Sequence, residues 1–234
     1  MTESGIEREP FMSTHGEIGA ATGSDIRNLK NRHEGESASI LCPGISLEYL
    51  DYTRLKGTIR IGVNRSIKLH DLDYCVVRDY KKIDSVSYMI SRRPDCEFVL
   101  DTDAIRYIQE SPTETYLFGE SISDRYAKSK AVYSDDFGMS SMAYSIRLCS
   151  VMGISKISLY GADFYYTKNK THAFDIGSRY EGREFWDLGE GRLTNEYLEG
   201  LRIEVEELYG SLSDINITNM SKESRLKCFK KQVA

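Results

Sequence analysis

Two short stretches of this chain carry residue types suited to nucleotide and phosphate chemistry. The first is Pro43-Gly44-Ile45-Ser46, which follows the apolar run Ser39-Ile40-Leu41-Cys42 and leads into the amphipathic Leu47-Glu48-Tyr49-Leu50. It reads as strand, tight loop and helix, with Ser46 as N-cap and Gly44 free to take backbone angles that a side chain resists. Backbone amides at such a corner can face an anion. The loop matches neither the dinucleotide fingerprint nor the Walker pattern, and plain chain reversal is its other reading. The second stretch is Gly161-Ala162-Asp163-Phe164-Tyr165, which ends the buried-looking run Ile157-Ser158-Leu159-Tyr160. Asp163, directly after an apolar strand and a glycine, must be solvated or bonded, either to a ligand or to a neighbouring loop amide. Two strand ends far apart in sequence are what a nucleotide crevice at the carboxyl edge of an open α/β sheet needs.

Other polar residues are less committed. Asn64 and Asp79 each follow a strand-like run and serve either as turn formers or as site residues. His172 is a loop histidine or a site residue, whereas His15, His33 and His70 lack partners at metal spacing. The five cysteines, Cys42, Cys75, Cys96, Cys149 and Cys228, stand singly and read as buried free thiols, which fits a reducing cytoplasm. A net charge of -5 and a pI near 5.5 make free nucleotides and sugars better partners than nucleic acid. No apolar run approaches the roughly 18 residues of a membrane span. The expectation is a soluble, cytoplasmic protein, in which the Asn-x-Ser/Thr triplets at Asn64, Asn169, Asn216 and Asn219 are chance matches.

The elements that position these residues follow from periodicity. Residues 1–24, rich in Gly, Ser, Thr and Glu, read as a flexible arm, and 25–234 as one domain. Short β-branched or aromatic runs predict strands at 38–43, 58–63, 73–77, 96–100, 115–118, 156–160 and 213–218. Helical spacing of Met142, Ile146, Cys149 and Met152, stopped by Gly153, predicts a helix over 139–152. Leu198, Leu201, Val205 and Leu208 predict another over 194–209, with Glu204, Glu206 and Glu207 outward. The alternation predicts an α/β fold: a single-domain, Rossmann-like and largely parallel sheet with helices on both faces. Residues 166–191 break the rhythm and form a lid over the crevice or a surface excursion; Phe174, Tyr180, Phe185 and Trp186 favour the lid.

These residues carry a family resemblance. Leu29-Lys30-Asn31-Arg32-His33-Glu34-Gly35-Glu36, the Pro-Gly-x-Ser-Leu loop, Ile61-Gly62-Val63-Asn64-Arg65 and Asp73-Tyr74-Cys75-Val76-Val77-Arg78-Asp79 resemble the MptE-like and flagellin-modification (motility accessory factor) domain superfamily. The same spine occurs in bacterial sialyltransferases of glycosyltransferase family 42. Their closest blocks here are 44–55, with Asp51-Tyr52-Thr53-Arg54-Leu55, and 141–175, with Gly161-Ala162-Asp163-Phe164-Tyr165 and Ala173-Phe174-Asp175.

The resemblance implies a metal-independent, cofactor-free glycosyltransferase with a sialyltransferase-like GT-A variant fold. It would move a sugar from a nucleotide-sugar donor to a hydroxyl of a glycan or other carbohydrate-bearing acceptor, in surface glycan biosynthesis. Carried over by position, Gly44 and Ser46 fall at the phosphate loop, Asn64 on the nucleotide or donor sugar, and Ser141 near the donor's charged group. Gly161, Asp163 and Phe164 line the nucleotide pocket with Asp79 nearby, and Tyr165 hydrogen-bonds the leaving phosphate. The chain departs from the family at three points. His172 stands where a second phosphate-binding tyrosine is expected. The general-base histidine falls around Gly191-Arg192-Leu193, leaving Glu190, with Asp187 and Glu184, as the carboxylates able to replace it. Gly138 replaces an arginine before Ser141, which weighs against a carboxylated donor such as CMP-sialic acid. The alternatives are an MptE-like pyrophosphokinase using ATP with magnesium on Asp79 and Asp163, and a non-catalytic nucleotide- or sugar-binding module.

Overall fold

The computed structural model describes residues 24–68, 71–77, 95–101, 131–134, 140–165, 173, 195–212 and 214–231. The apolar runs become parallel strands: β1 Ser24–Asp25, β2 Ser37–Leu41, β3 Ile59–Val63, β4 Tyr74–Val77, β5 Glu97–Asp101, β6 Ala131–Ser134, β7 Lys156–Tyr160, β8 Asn216–Asn219 and β9 Lys230–Lys231. They form one parallel sheet in the order β1-β6-β5-β4-β3-β2-β7-β8-β9, with two-residue strands at its edges. Chain order reverses at β2. From there the chain steps outward through β3, β4, β5 and β6, then returns to lay β7 on the other flank of β2. A crevice outside the carboxyl ends of β2 and β7 is therefore the topological switch point of the sheet.

Alternation along each strand supplies two cores. Ala38, Ile40, Ile61, Val63, Tyr74, Val76, Ile157, Leu159 and Ile217 face one layer, while Leu41, Cys75, Val77, Phe98, Leu100 and Tyr160 face the other. The first layer is built by the helices α1, Ser141–Val151, and α2, Asn195–Gly210. In the described residues the second is covered by short 3-10 turns that insert Leu47 and Leu55.

Helix α1 is buried almost all round, with Arg147 and Ser150 exposed. The Ser140 hydroxyl caps it by accepting from the Ala143 amide at 3.2 Å. Gly153, at φ +79°, ends it in a complete Schellman motif: its amide donates to the Ser150 carbonyl and that of Ile154 to the Cys149 carbonyl. Helix α2 buries Leu198 and Val205 and leaves Leu201 and Leu208 half-buried.

Several expectations are corrected. The helix predicted from Ser46 is a five-residue 3-10 turn, Ile45–Tyr49, capped by Gly44 rather than by Ser46. It stops because Leu50 is extended and Asp51 caps a second turn, Tyr52–Leu55, through the Thr53 amide. Strand β6 had no counterpart in the sequence reading, and the strand predicted at 115–118 lies outside the described residues. Among those residues no helix is long and apolar enough to cross a membrane. All five cysteines are free; four are buried and Cys228 is half-buried.

Candidate active site at the carboxyl edge of the sheet

The ends of β2 and β7 are joined more tightly than their ladder requires. Past the strands, Cys42 N–H donates to the Tyr160 carbonyl at 2.8 Å and Gly44 N–H to the Gly161 carbonyl at 2.9 Å. Gly44 itself sits at φ -64°, ψ 162°, a conformation open to any residue, so the expected freedom of its backbone angles is not what it provides. Space is. A Cβ on Gly44 would lie 2.2 Å from the Gly161 oxygen, and one on Gly161 2.1 Å from the Cys42 oxygen. Gly161 adds a left-handed φ of +67°.

Asp163 closes this corner. It is 3% exposed, and its two carboxylate oxygens accept from Ser46, one from the amide at 2.8 Å and the other from the hydroxyl. The amides expected to face an anion are thus committed inside the protein, that of Gly44 to Gly161 and that of Ser46 to Asp163. Of the roles open to Asp163, bonding a neighbouring loop amide is the one observed, and at 3% exposure it is not solvated. Burial, then the Asp163 charge, raises the Cys42 thiol's pKa and keeps it protonated.

The loop after β8 ties into the same corner through residues that sequence reasoning missed. The Ser221 hydroxyl accepts from the Ala162 amide at 3.1 Å and lies 3.1 Å from the Ser46 hydroxyl. The Ser224 hydroxyl donates to the Ala162 carbonyl, and the Arg225 amide donates to the Asp163 carbonyl at 3.0 Å. A position immediately beyond a strand flanking the switch point is the sequence signal that could have found them.

Two residues at this edge hold backbone conformations rare for side-chain-bearing residues: Asn64 at φ +52° after β3 and Phe164 at φ +57° after β7. Ser141, the first residue of α1, donates its hydroxyl to Asn64 Oδ1 at 3.4 Å, so β3 and α1 meet beside the crevice. Tyr165 follows Phe164 and donates to Glu223 Oε2 at 3.3 Å. Burial, then the charges of Asp163 and Glu223, raises its pKa, leaving the phenol a donor at neutral pH.

The structure therefore brings together Gly44, Ser46, Gly161 and Asp163 in one cluster, with Phe164 and Tyr165 beside it, and Asn64 with Ser141 in another. Asp79, His172, Glu190 and the segment 166–191, apart from Ala173, lie outside the described residues, as do Glu184, Asp187 and Gly138. The Ala173 amide donates to the Pro43 carbonyl at 3.1 Å, which brings the chain just after His172 to this edge. Glu204, expected on an outer helix face, instead accepts from the Ser140 amide at the start of α1. Among the described residues no three His, Cys, Asp or Glu side chains gather as a metal would need.

No protein-family model matches this chain, and no curated protein matches it in sequence. Solved structures do match in fold. The sialyltransferase CstII from Campylobacter jejuni, in complex with the substrate analogue CMP-3FNeuAc, superposes with a TM-score of 0.53 at 15% identity, over 84% of this chain and 86% of that one. The same sialyltransferase with a trisaccharide acceptor and CMP gives 0.51 at 14% identity, over 85% and 86%. A tyrosine-to-phenylalanine variant of it with CMP gives 0.51 at 15%, over 84% and 86%. At these identities the likeness is one of fold: a parallel α/β sheet of the sialyltransferase kind.

Proposed function

We propose that the protein is a glycosyltransferase that binds a nucleotide-sugar donor across the carboxyl ends of β2, β3 and β7 and transfers its sugar to a hydroxyl of a carbohydrate-bearing acceptor. One observation carries this reading. At the carboxyl edge around the switch point, where open α/β sheets hold their ligands, two side-chain-bearing residues on the strands that flank β2, Asn64 after β3 and Phe164 after β7, keep left-handed backbones. Backbone strain of this kind persists where the surroundings over-determine it, and it gathers at ligand sites. The fold likeness to enzymes solved with CMP, a CMP-sugar analogue and a trisaccharide supports the same chemistry.

In this reading Gly44, Ser46, Gly161 and Asp163 form the rigid frame. Asn64 and Ser141 contact the donor, Phe164 packs against the nucleotide, and Tyr165 swings its hydroxyl from Glu223 to the leaving phosphate. There it stabilises charge that develops as the glycosidic bond breaks. His172 is the second phosphate donor, Asp79 a nucleotide contact, and Glu190 the base that takes the acceptor proton, within a lid formed by 166–191. The test is a panel of CMP-, UDP-, GDP- and ADP-sugars incubated with purified protein, with nucleotide release followed with and without oligosaccharide acceptors. Release from one nucleotide class, accelerated by an acceptor and unaffected by chelator, is the expected outcome. Release of AMP from ATP in place of any sugar transfer would replace this reading with pyrophosphate transfer.

A further inference from the structure

The segment after β8 carries a charge pattern unlike the rest of the molecule. Residues 222–231 hold five basic residues against one acidic, in a chain whose net charge is -5. Lys222, Arg225, Lys227, Lys230 and Lys231 are exposed, while Ser224, Leu226 and Phe229 between them are buried. These anchors hold the chain on the surface and turn its cations outward. The one acidic residue, Glu223, is engaged with the Tyr165 hydroxyl. Arg32, Arg60 and Arg202 are each paired with carboxylates, but among the described residues none of these five cations is. The acids of α2 that face the segment, Glu199 and Glu206, are both committed to Arg202.

Both ends of the segment are fixed at the carboxyl edge. Near its start the Ser224 hydroxyl and the Arg225 amide bond the carbonyls of Ala162 and Asp163. At its end β9 pairs Lys230 and Lys231 with Thr218 and Asn219, the last two residues of β8. Between them the Lys227 amide donates to Glu206 Oε1 at 3.2 Å, and Lys231 Nζ reaches back to the Ser224 carbonyl at 2.7 Å. A fixed basic ridge therefore stands on the rim of the crevice. Its far end, β9, lies two strand spacings from β7, about 10 Å, and so meets parts of a ligand well away from the switch point.

We propose that this ridge docks the acceptor, and that the acceptor is an anionic glycan carrying phosphate or carboxylate groups on sugars beyond the one that receives the transfer. The inference rests on the glycosyltransferase reading and narrows its acceptor class. Cations gathered at one point suit a single phosphate, whereas cations spread along a segment suit a chain that carries charge at intervals. Lysines, four of the five, bind such groups as point charges without demanding one geometry. A single-stranded nucleic acid would also want exposed aromatic faces for its bases, and the ridge's one aromatic residue, Phe229, is buried. Opposite charge on ridge and glycan would steer the encounter and fix which end of the acceptor enters the crevice.

Matched oligosaccharides test this by binding alone: pentagalacturonate with its methyl ester, and phosphorylated maltopentaose with maltopentaose, each titrated into the full chain by calorimetry. In at least one pair the charged member should bind about tenfold tighter or more, and the pair that does so names the charged group. Lys227→Glu combined with Lys230→Glu should bring that ratio to about threefold or less. Raising salt from about 50 mM to about 500 mM on the unaltered protein should narrow the same gap, a readout that does not depend on the variant folding. Equal binding of charged and neutral members in both pairs, or a ratio unmoved by both the double substitution and salt, overturns the proposal. So does an oligonucleotide or an anionic lipid vesicle that binds as tightly as the charged glycan. Either failure leaves the transferase reading standing, because that reading is judged by nucleotide release from the donor. Absence of release from every donor overturns the transferase reading, and the acceptor role with it.

Discussion

Asn64 combines two properties that can be separated by substitution. Its left-handed backbone starts the turn after β3, and its side chain reaches Ser141. Asn64→Gly keeps the backbone conformation at no steric cost while deleting the amide, so it isolates the binding role better than alanine. It should weaken nucleotide binding by about 0.5–1.5 kcal/mol, more against a charged group, with little change in the unfolding midpoint. Unaltered affinity in calorimetry would remove Asn64 from the site. Tyr165 is tested by its kinetics. If its hydroxyl acts on the leaving phosphate, Tyr165→Phe lowers kcat far more than it raises KM for the donor. Proportionate losses in both, or in neither, would contradict that assignment.

At the scale of elements, the corner where β2 meets β7 is held by close backbone approach. Gly161→Ala must bear both a left-handed φ and a Cβ placed on the Cys42 carbonyl, and should cost about 2–4 kcal/mol. Gly57 has a similar φ of +76° with nothing within 4 Å, so Gly57→Ala should cost only about 1 kcal/mol. Chemical denaturation of both variants measures the difference. Similar losses would show that strain, not proximity, makes Gly161 necessary.

Much of this architecture was legible in the sequence because its elements are strongly patterned. The run 156–160 is the strand as observed, and the 139–152 spacing found α1 with its Gly153 stop. The paired strand ends at Gly44 and Gly161 marked the switch point for the same reason. What escaped depends on partners distant in sequence. Ser46 has the local look of an N-cap, yet its hydroxyl belongs to Asp163, 117 residues on. Glu204 has the look of a solvated face, yet it reaches Ser140. Strand β6, Ala-Val-Tyr-Ser, is too short to show a period of its own.

Across the whole molecule the two edges of the sheet have different tasks. The amino-terminal edge is a latch of charged pairs: Arg32 reaches Tyr74 and Glu97, His33 lies 2.8 Å from the Tyr74 hydroxyl, and Arg60 holds Asp73. Burial pushes the Asp73 pKa up, but hydrogen bonds and charge from Arg60 outweigh it, so the net shift is downward. A carboxylate with a lowered folded pKa gives stability that is present above its unfolded pKa and is lost as pH falls through the folded one. Urea midpoints of the unaltered protein and Asp73→Asn should differ by a constant amount at pH 5–7 and converge below about pH 4. The pair is partly exposed, so the difference should stay under about 1 kcal/mol. A gap that widens in acid would contradict the assignment.

The carboxyl-terminal edge is where we propose that the nucleotide sugar binds. Its occupancy is the central claim, and it is tested by the amide chemical shifts of isotope-labelled protein titrated with CMP, UDP and GDP. With the nucleotide that binds, shifts should concentrate at 62–66, 140–143 and 161–165 and should spare 32–36 and 95–98 on the opposite edge. Shifts centred on the Arg32 and Tyr74 edge, or none with any of the three nucleotides at millimolar concentration, would contradict a nucleotide site at the switch point.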